Sequence, residues 1–492
     1  MPGRSPNGGS LRGNTPTIRL DPTSRSPVYL QIASALMAEI HRGRFLPGDR
    51  LPGYRTLAES LGVSKNTVLS AYRELQSEGW VTSTVGGGSV VSSVPPRTLP
   101  GAAGAPPPDP GLPGFDLAGE APAPGGAPPG GLLRVGTGLP DPRHLPSAVL
   151  ARAYRRALLV NPQASVGLQD PQGHPRLREA LGRLLAAARG IPAAADRILV
   201  TRGTQMAFYL AGQSLLAPGD TVAVEALGDR AIWEAFTRAG ARCLPVPVDA
   251  GGMDVDALDA LSRRTRLRAV LVSPQRQYPT LAPLAAGRRR RLLELATVQR
   301  FAVLESDLDW EFQFDGSPEP SLAAEDPAGV VIHFGVLSRI FSPGQRLGLI
   351  HAAAGFVTRL REQRLAFDGQ GDPVLERAMS ELLEDGEIQR HLNRMHQVYR
   401  RRRDALAAAL LREAGEAVSV GPASGGLALW VKVQDGVDVD AWAARALARG
   451  VAFRPGRQFA FDGAPVQGFR IGFSSFAEPV LDEVAARLGA SL

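Results

Sequence analysis

The sequence predicts an α/β protein preceded by a separate small module, and three observations lead to this fold class. From about Leu132 to the end, short apolar runs such as RILV, LRAVLVS and RFAVLES alternate with helical patterns, which is typical of a mainly parallel sheet. A stretch rich in proline and glycine, residues 93–131, separates this region from residues 25–92. The length of 492 residues is also too great for one ordinary domain.

Composition and charge exclude several classes of protein. The chain has 44% hydrophobic and 21% charged residues and a single cysteine, Cys243. One cysteine leaves no partner for an internal disulfide, and a reducing compartment is the simplest interpretation. No apolar run reaches the roughly 18–20 residues that span a bilayer, and the first residues lack the apolar core of a secretory signal. We therefore expect a cytoplasmic protein with no membrane partner.

Arginine supplies almost all of the positive charge. Of the 55 basic residues, only Lys65 and Lys432 are lysines. Any chemistry that needs a lysine amine therefore has two candidates in the chain. The net charge of +7 at pH 7 is compatible with a nucleic-acid partner but does not require one.

The N-terminal part predicts a helix-turn-helix with a wing. Residues 1–24 are polar and rich in Gly, Ser and Pro, and we expect a flexible tail there. In residues 25–92, PVYLQIASALMAEIHRGRF has helical apolar spacing, and YRTLAESLGV predicts a short helix that ends at Gly62. Ser64 is the expected N-cap of the next helix, KNTVLSAYRELQSEG. The segment GWVTSTVGGGSVVSS then predicts two short strands.

The start of the second helix carries side chains that suit a DNA major groove. These side chains are short, polar or cationic, and they reach base edges or phosphates when such a helix enters the groove. Arg55, at the start of the first helix of the pair, is placed to meet a phosphate. An ordinary small helical domain with a solvated polar face is the alternative interpretation. The candidate DNA-binding residues are Arg55, Ser64, Lys65, Asn66, Thr67, Tyr72 and Gly87.

This module resembles, over its whole length, the winged helix of the GntR family of bacterial transcription regulators. The resemblance rests on the G-D-x-L-P turn, on R-x-L-A, L-G-V-S and N-T-V, and on A-Y-x-x-L-x-x-E-G. It implies binding to double-stranded DNA, with Arg55, Ser64, Asn66 and Thr67 at the family's contact positions. Tyr54 departs from the pattern, which usually has serine before the arginine.

From about Leu132 to the C-terminus the chain resembles the aminotransferase-like domain of the MocR subgroup of the GntR family. The segments GTGLPDPRHLP, TRGTQMAFYL, SPQRQYPTLAP, LESDLDWEFQF and GVLSRIFSPGQRLG carry the resemblance in this order. It implies fold-type I of the pyridoxal-phosphate enzymes, usually a two-fold dimer, with a large part at about 132–385 and a smaller C-terminal α/β part at about 386–492. The expected fold is therefore a winged helix-turn-helix joined by the Pro/Gly linker, residues 93–131, to this domain.

The resemblance breaks down at the positions that react with the cofactor. A pyridoxal-phosphate site needs a lysine for the Schiff base and a carboxylate for the ring nitrogen. The family's lysine position holds Arg339, whose guanidinium is not an amine nucleophile at neutral pH. The carboxylate position holds Ser306, with Asp307 as the alternative if the register is shifted by one residue. Arg276 and Leu281 also stand where the family has histidine and glycine.

Other positions keep the family's residues. The turn at Gly203 matches one side of the phosphate cup, the Ser338–Arg346 segment matches its far side, and Arg470 matches the clamp for a ligand carboxylate. The same residues could serve only the fold, as a turn, a helix cap and an inter-strand ion pair. The residues assigned to this degenerate cofactor site are Gly203, Thr204, Gln205, Ser306, Asp307, Ser338, Arg339 and Arg346.

The sequence thus predicts a DNA-binding transcription regulator that is not an enzyme and has no catalytic residue and no metal site. Its aminotransferase-like domain is expected to form a homodimer and to sense a small anionic effector. Pyridoxal phosphate is expected only as a non-covalent ligand. Two alternatives stay open: an aminotransferase or pyridoxal-phosphate-responsive regulator, which Arg339 disfavours, and a dimerisation scaffold that binds no ligand.

Overall fold

The computed structural model describes residues 18, 20–24, 26–84, 88–94, 115, 131–160, 162–163, 167–421 and 423–492. The chain divides into two compact units, Met1–Pro124 and Gly125–Leu492. The predicted tail and the predicted linker lie almost entirely outside the described residues. In the part of the chain that the structure describes, no helix is both long and apolar enough to cross a membrane.

In the part of the first unit that the structure describes, three helices and a two-stranded antiparallel sheet are present, as predicted. Gly62 ends the second helix in the left-handed region, with φ of 65°, which glycine adopts at little cost. The helices enclose one core that includes Ile32, Leu57 and Leu75. The elements are α1 (Val28–His41), α2 (Tyr54–Leu61), α3 (Lys65–Ser77), β1 (Val81–Thr84) and β2 (Gly88–Val91).

A seven-stranded sheet forms the centre of the second unit, with strand order β4-β12-β11-β10-β9-β5-β6. Only β12 runs antiparallel to its neighbours, so the predicted mainly parallel sheet is confirmed. The strands of this unit are β3 (Leu133–Arg134), β4 (Ile198–Thr201), β5 (Thr221–Glu225), β6 (Arg242–Val246), β7 (Val248–Asp249), β8 (Gly252–Met253), β9 (Leu267–Val272), β10 (Ala302–Ser306), β11 (Val331–Val336), β12 (Gly348–His351), β13 (Val418–Val420), β14 (Ala428–Val433), β15 (Val451–Ala452), β16 (Arg454–Pro455) and β17 (Gly468–Gly472).

Helices cover both faces of the large sheet, which explains why its inner strands are apolar on both sides. The helices of this unit are α4 (Ser147–Val160), α5 (Pro175–Arg189), α6 (Thr204–Leu215), α7 (Arg230–Arg238), α8 (Val255–Arg264), α9 (Ala286–Gln299), α10 (Ala354–Phe367), α11 (Pro373–Glu384), α12 (Glu387–Ala414), α13 (Val439–Ala448) and α14 (Glu478–Gly489). One face packs against α6, α7 and α10, and the other against α8 and α9.

The smaller part is a four-stranded sheet, β13-β14-β17-β16, packed with α12 and α14. Its division from the large part at residue 386 stays a prediction. Strand β3, from the start of the unit, pairs in parallel with β15 in a two-stranded sheet of its own, through Leu133 and Val451. Residues from the start of the unit therefore pair with a strand that follows residue 386.

Candidate functional site

The start of α3 presents a polar, exposed surface. Ser64 caps the helix, since its Oγ accepts a hydrogen bond from the N–H of Thr67 at 3.1 Å and lies 2.8 Å from the Thr67 Oγ1. Lys65 and Asn66 follow as the first helical residues and both are exposed. The Lys65 Nζ lies 5.1 Å from the centre of the Tyr54 ring, at the start of α2. The positive ends of the two helices therefore lie close together on one surface.

Of the other candidates for DNA contact, Tyr72 is buried and Gly87 lies outside the described residues. Tyr72 is only 6% exposed, and its hydroxyl donates to the Pro52 carbonyl at 2.6 Å. Burial also raises the pKa of Tyr72. The side chain belongs to the core of the first unit rather than to its exposed surface. Arg55 is exposed and makes no ion pair with any residue that the structure describes.

The second unit brings the predicted phosphate cup together around the start of α6. Gly203 has φ of 79°, and a Cβ added there would lie 3.2 Å from the Arg346 Cζ. Glycine thus lets the guanidinium approach the helix start, where free N–H groups favour an anion. The Arg346 Nη2 also lies 3.5 Å from the Gln205 Oε1.

Two hydroxyls at this end carry no internal hydrogen bond. The side chains of Thr204 and Ser338 bond to none of the described residues, while the Ser338 N–H donates to the Leu347 carbonyl at 3.1 Å. A cleft of about 720 Å³ opens beside Gln205 and Arg346, but neither Thr204 nor Ser338 lines it. These hydroxyls, the backbone N–H groups and the guanidinium are the donor types that hold a phosphate.

At the ring end, an ion pair occupies the position that the resemblance assigns to the Schiff-base lysine. The Arg339 Nη1 lies 2.6 and 2.7 Å from the two carboxylate oxygens of Asp309. Asp309 has φ of 66°, an uncommon conformation for a residue other than glycine. Burial disfavours the charged guanidinium, but Asp309 outweighs this and raises the pKa of Arg339. No amine is therefore available at this position.

The two candidates for the ring nitrogen differ in their surroundings. Ser306 ends β10 and is buried. Asp307 is engaged elsewhere, because its Oδ2 accepts from the Arg189 Nε at 2.7 Å and both side chains are about 1% exposed. The Asp307 Oδ1 is a buried acceptor with no partner among the described residues. The cup thus fits a phosphate, and Asp307 offers one oxygen to a ring nitrogen, but the residues do not fit a covalently bound pyridoxal.

Arg276 binds the loop at residues 309–313 and packs against the small part. Its Nη1 donates to the Asp309 carbonyl at 2.9 Å and its Nη2 contacts the Gln313 Oε1. A Cβ at Gly425, in the small part, would collide with the same guanidinium. An arginine in place of the family's histidine thus holds this loop and lies against Gly425.

Arg470 on β17 is a buried cation without a carboxylate partner. The side chain is about 1% exposed, and its Nε and Nη1 have no hydrogen-bond partner among the described residues. Its Cζ lies 5.0 Å from the centre of the Tyr278 ring. Burial lowers the pKa of Arg470, and no nearby carboxylate fully compensates. The alternative of an inter-strand ion pair thus finds no carboxylate for Arg470 among the described residues, whereas a site for an external anion fits the geometry.

Comparisons with known proteins agree with this division of the chain. The family described as "Bacterial regulatory proteins, gntR family" matches residues 28–91, and "Aminotransferase class I and II" matches residues 133–280 and 300–488. The probable rhizopine catabolism regulatory protein MocR of Rhizobium meliloti is 28% identical over 94% of this chain and 93% of its own length. The HTH-type transcriptional regulator TauR of Rhodobacter capsulatus is 31% identical over 96% of this chain and 98% of its own.

This chain is a MocR-type regulator of the GntR family. Among solved structures, LysN, the alpha-aminoadipate aminotransferase of Thermus thermophilus, complexed with N-(5'-phosphopyridoxyl)-L-leucine, is similar over 74% of this chain and 92% of its own. The TM-score is 0.68 and the sequence identity 29%. The MocR-type fold is therefore confirmed as a GntR helix-turn-helix followed by a fold-type I aminotransferase domain.

Sequence reasoning missed three residues of this MocR-type site. Asp309 was not expected to pair with Arg339, and Arg189 was not expected to reach Asp307 from the end of α5. Arg276 was seen as a replacement, but its contacts with the 309–313 loop were not expected. The sequence does carry a signal for the Asp309–Arg339 pair, since Asp309 is one of several acidic residues directly after β10. The other two depend on contacts between distant segments.

Proposed function

We propose that this MocR-type transcription regulator has no transaminase activity and responds to a small anion that it binds without a covalent bond. The observation that carries the proposal is the Arg339–Asp309 ion pair at the position of the Schiff-base lysine. Without an amine there is no imine, and without an imine the cofactor cannot carry the amino group. Lys432 offers no substitute amine, because it lies on β14 in the small part and is exposed to solvent.

The anion is supported by unpaired donors at the two ends of the site. At one end lie the cup hydroxyls of Thr204 and Ser338 with the Arg346 guanidinium, and at the other lies Arg470. A buried cation without a partner costs free energy, which an incoming anion recovers. A phosphate ester or a carboxylate is the ligand class that these donors suit.

DNA binding is assigned to the surface formed by the starts of α2 and α3. Ser64, Lys65, Asn66, Thr67 and Arg55 are the residues that we propose as contacts, with duplex DNA as the partner. The second unit serves as the dimerisation module, which supplies two such surfaces to one operator.

A ligand-blind dimerisation scaffold is the second candidate for the second unit. It is favoured by Arg276, a buried cation that fills the position of the family's histidine and is held by the 309–313 loop. In that case regulation depends on the concentration of the protein and on its partners rather than on an effector.

A thermal-shift experiment on the full chain separates these candidates. The probes are inorganic phosphate, succinate and pyridoxal phosphate, each titrated into the wild type and into the Arg470→Met and Arg346→Met variants. An anion held at 100 times its Kd stabilises the protein by about 2.7 kcal/mol. We expect stabilisation of the wild type and its loss in at least one variant, together with no amino transfer from any amino acid tested. No shift with any probe supports the scaffold, and amino transfer contradicts the proposal.

A further inference from the structure

Tyr54 and Lys65 form a contact on the proposed DNA-binding surface that the resemblance to the GntR family does not predict. Tyr54 is the first residue of α2, and it stands where the family pattern has serine. Lys65 is the first residue of α3, and its Nζ lies 5.1 Å from the centre of the Tyr54 ring. This distance is within the range of a cation–π interaction.

The exposure of the two side chains argues against a purely structural role. Tyr54 is 38% exposed and does not belong to the hydrophobic core of the unit. Lys65 makes no ion pair with any carboxylate among the described residues. A cation that is held by a ring face and not by a carboxylate keeps its full charge for an external anion.

The surroundings of the pair point to a phosphate or a base edge of duplex DNA. The N-cap of α2, Gly53, provides no side-chain acceptor, so the first N–H groups of that helix are free of side-chain hydrogen bonds. The dipoles of α2 and α3 both place positive potential where Tyr54 and Lys65 meet. Arg55, exposed and next to Tyr54, adds a second cation to the same surface.

We propose that Tyr54 is a positioning residue for DNA recognition, because its ring face holds the Lys65 ammonium at the start of the recognition helix. This inference rests on the proposed function of the first unit. A free lysine side chain loses rotamer entropy when it binds a phosphate or a base. The Tyr54 ring restricts the lysine side chain in the free protein, so less rotamer entropy is lost when DNA binds.

The test is a series of full-length variants at residue 54, with Phe, Trp and Leu in place of Tyr. Binding is measured on a duplex enriched by the wild type from a random pool and on a random-sequence duplex, at several salt concentrations. Trp and Phe keep a ring face, whereas Leu keeps apolar volume without one. We expect wild-type affinity or better for Tyr54→Trp and Tyr54→Phe, and about two- to fivefold weaker binding for Tyr54→Leu.

A double-mutant cycle with Lys65→Met identifies the mechanism. We expect the Tyr54→Leu loss to disappear in the Lys65→Met background, since no ammonium remains to be positioned. Lys65→Met should reduce the salt dependence, whereas Tyr54→Leu should leave it unchanged, because the lysine still reaches DNA. Thermal unfolding of the variants controls for the fold.

Three results would overturn the inference. The first is an equal loss of DNA affinity in Tyr54→Phe and Tyr54→Leu. The second is a loss of affinity in Tyr54→Leu that persists in the Lys65→Met background, and the third is wild-type affinity in Tyr54→Leu. If the wild type itself enriches no sequence and binds no duplex, the proposed function fails instead. The two failures are therefore distinguishable in one data set.

Discussion

Basic residues have opposite surroundings on the proposed DNA-binding surface of the first unit and at the ring end of the site in the second unit. On the proposed DNA-binding surface, Arg55 and Lys65 are exposed and pair with no carboxylate among the described residues. At the ring end of the aminotransferase-like site, Arg189 and Arg339 are each within 2.7 Å of a carboxylate oxygen. A cation left unpaired is available to an external anion, whereas a paired one is already neutralised by the fold.

The comparison teaches that a match to a family motif does not decide what a charged residue does. The resemblance assigns Arg346 and Arg470 to cofactor and ligand positions, and both lack a carboxylate partner among the described residues. Arg339, which the resemblance assigns to the Schiff-base position, is neutralised by Asp309. We infer that pairing with a carboxylate, rather than residue type, distinguishes the proposed binding residues from the structural ones.

The largest expected effect comes from breaking a buried pair. Replacing Arg189 by Met leaves the Asp307 carboxylate buried without its cation, and we expect the free energy of unfolding to fall by about 3–5 kcal/mol. Chemical denaturation followed by tryptophan fluorescence measures this change. The control is Arg42→Met, because Arg42 is exposed and its partner Glu39 keeps Arg44 as a second cation. Its expected loss is below about 1 kcal/mol. Equal losses for the two variants would show that burial of the pair has no energetic consequence.

A buried carboxyl without a cation gives the next largest effect. Burial of Glu225, at the end of β5, raises its pKa from an ordinary 4.5 to about 8. The folded protein then keeps a proton that the unfolded chain releases, so this contribution to stability is complete below about pH 4.5 and is lost as the pH rises towards 8.

The Glu225→Gln variant tests this sign. It has no proton to lose, and we expect it to be more stable than the wild type at pH 8 by about 1–3 kcal/mol, with little difference at pH 5. Urea denaturation at the two pH values measures the difference. A stability difference that does not change with pH would contradict the raised pKa.

A smaller effect is expected on the exposed surface of the first unit. Arg55→Ala should weaken binding to every duplex by a similar factor, on the order of 1 kcal/mol, and reduce the slope of log K against log salt by about one. The control is Arg42→Ala, because Arg42 is already paired with Glu39. An unchanged slope for Arg55→Ala, or an equal change for the control, would remove Arg55 from the DNA contacts.

Much of the fold follows from the sequence because it depends on local pattern. Apolar periodicity, Gly62 and the N-cap at Ser64 define the helix-turn-helix, and alternating runs define the parallel sheet. The absence of a Schiff-base amine could also be predicted from the sequence, since that prediction depends on one residue, Arg339. The assignment of Tyr72 to DNA is wrong, because its helical spacing with Val68 and Leu75 places it on the buried face of α3. The partners of Asp307 and Asp309 could not be predicted, because Arg189 and Arg339 reach them from distant segments.

The most direct test of the account is reductive trapping with pyridoxal phosphate. The full chain is mixed with pyridoxal phosphate, reduced with borohydride, and mapped by mass spectrometry beside a Lys65→Arg/Lys432→Arg variant and an Arg339→Lys variant. The account predicts no stoichiometric adduct in the wild type or in the lysine-free variant, whereas Arg339→Lys restores an amine where an adduct can form. A stoichiometric adduct on Lys432 of the wild type, with the imine absorbance that precedes it, would contradict the central claim.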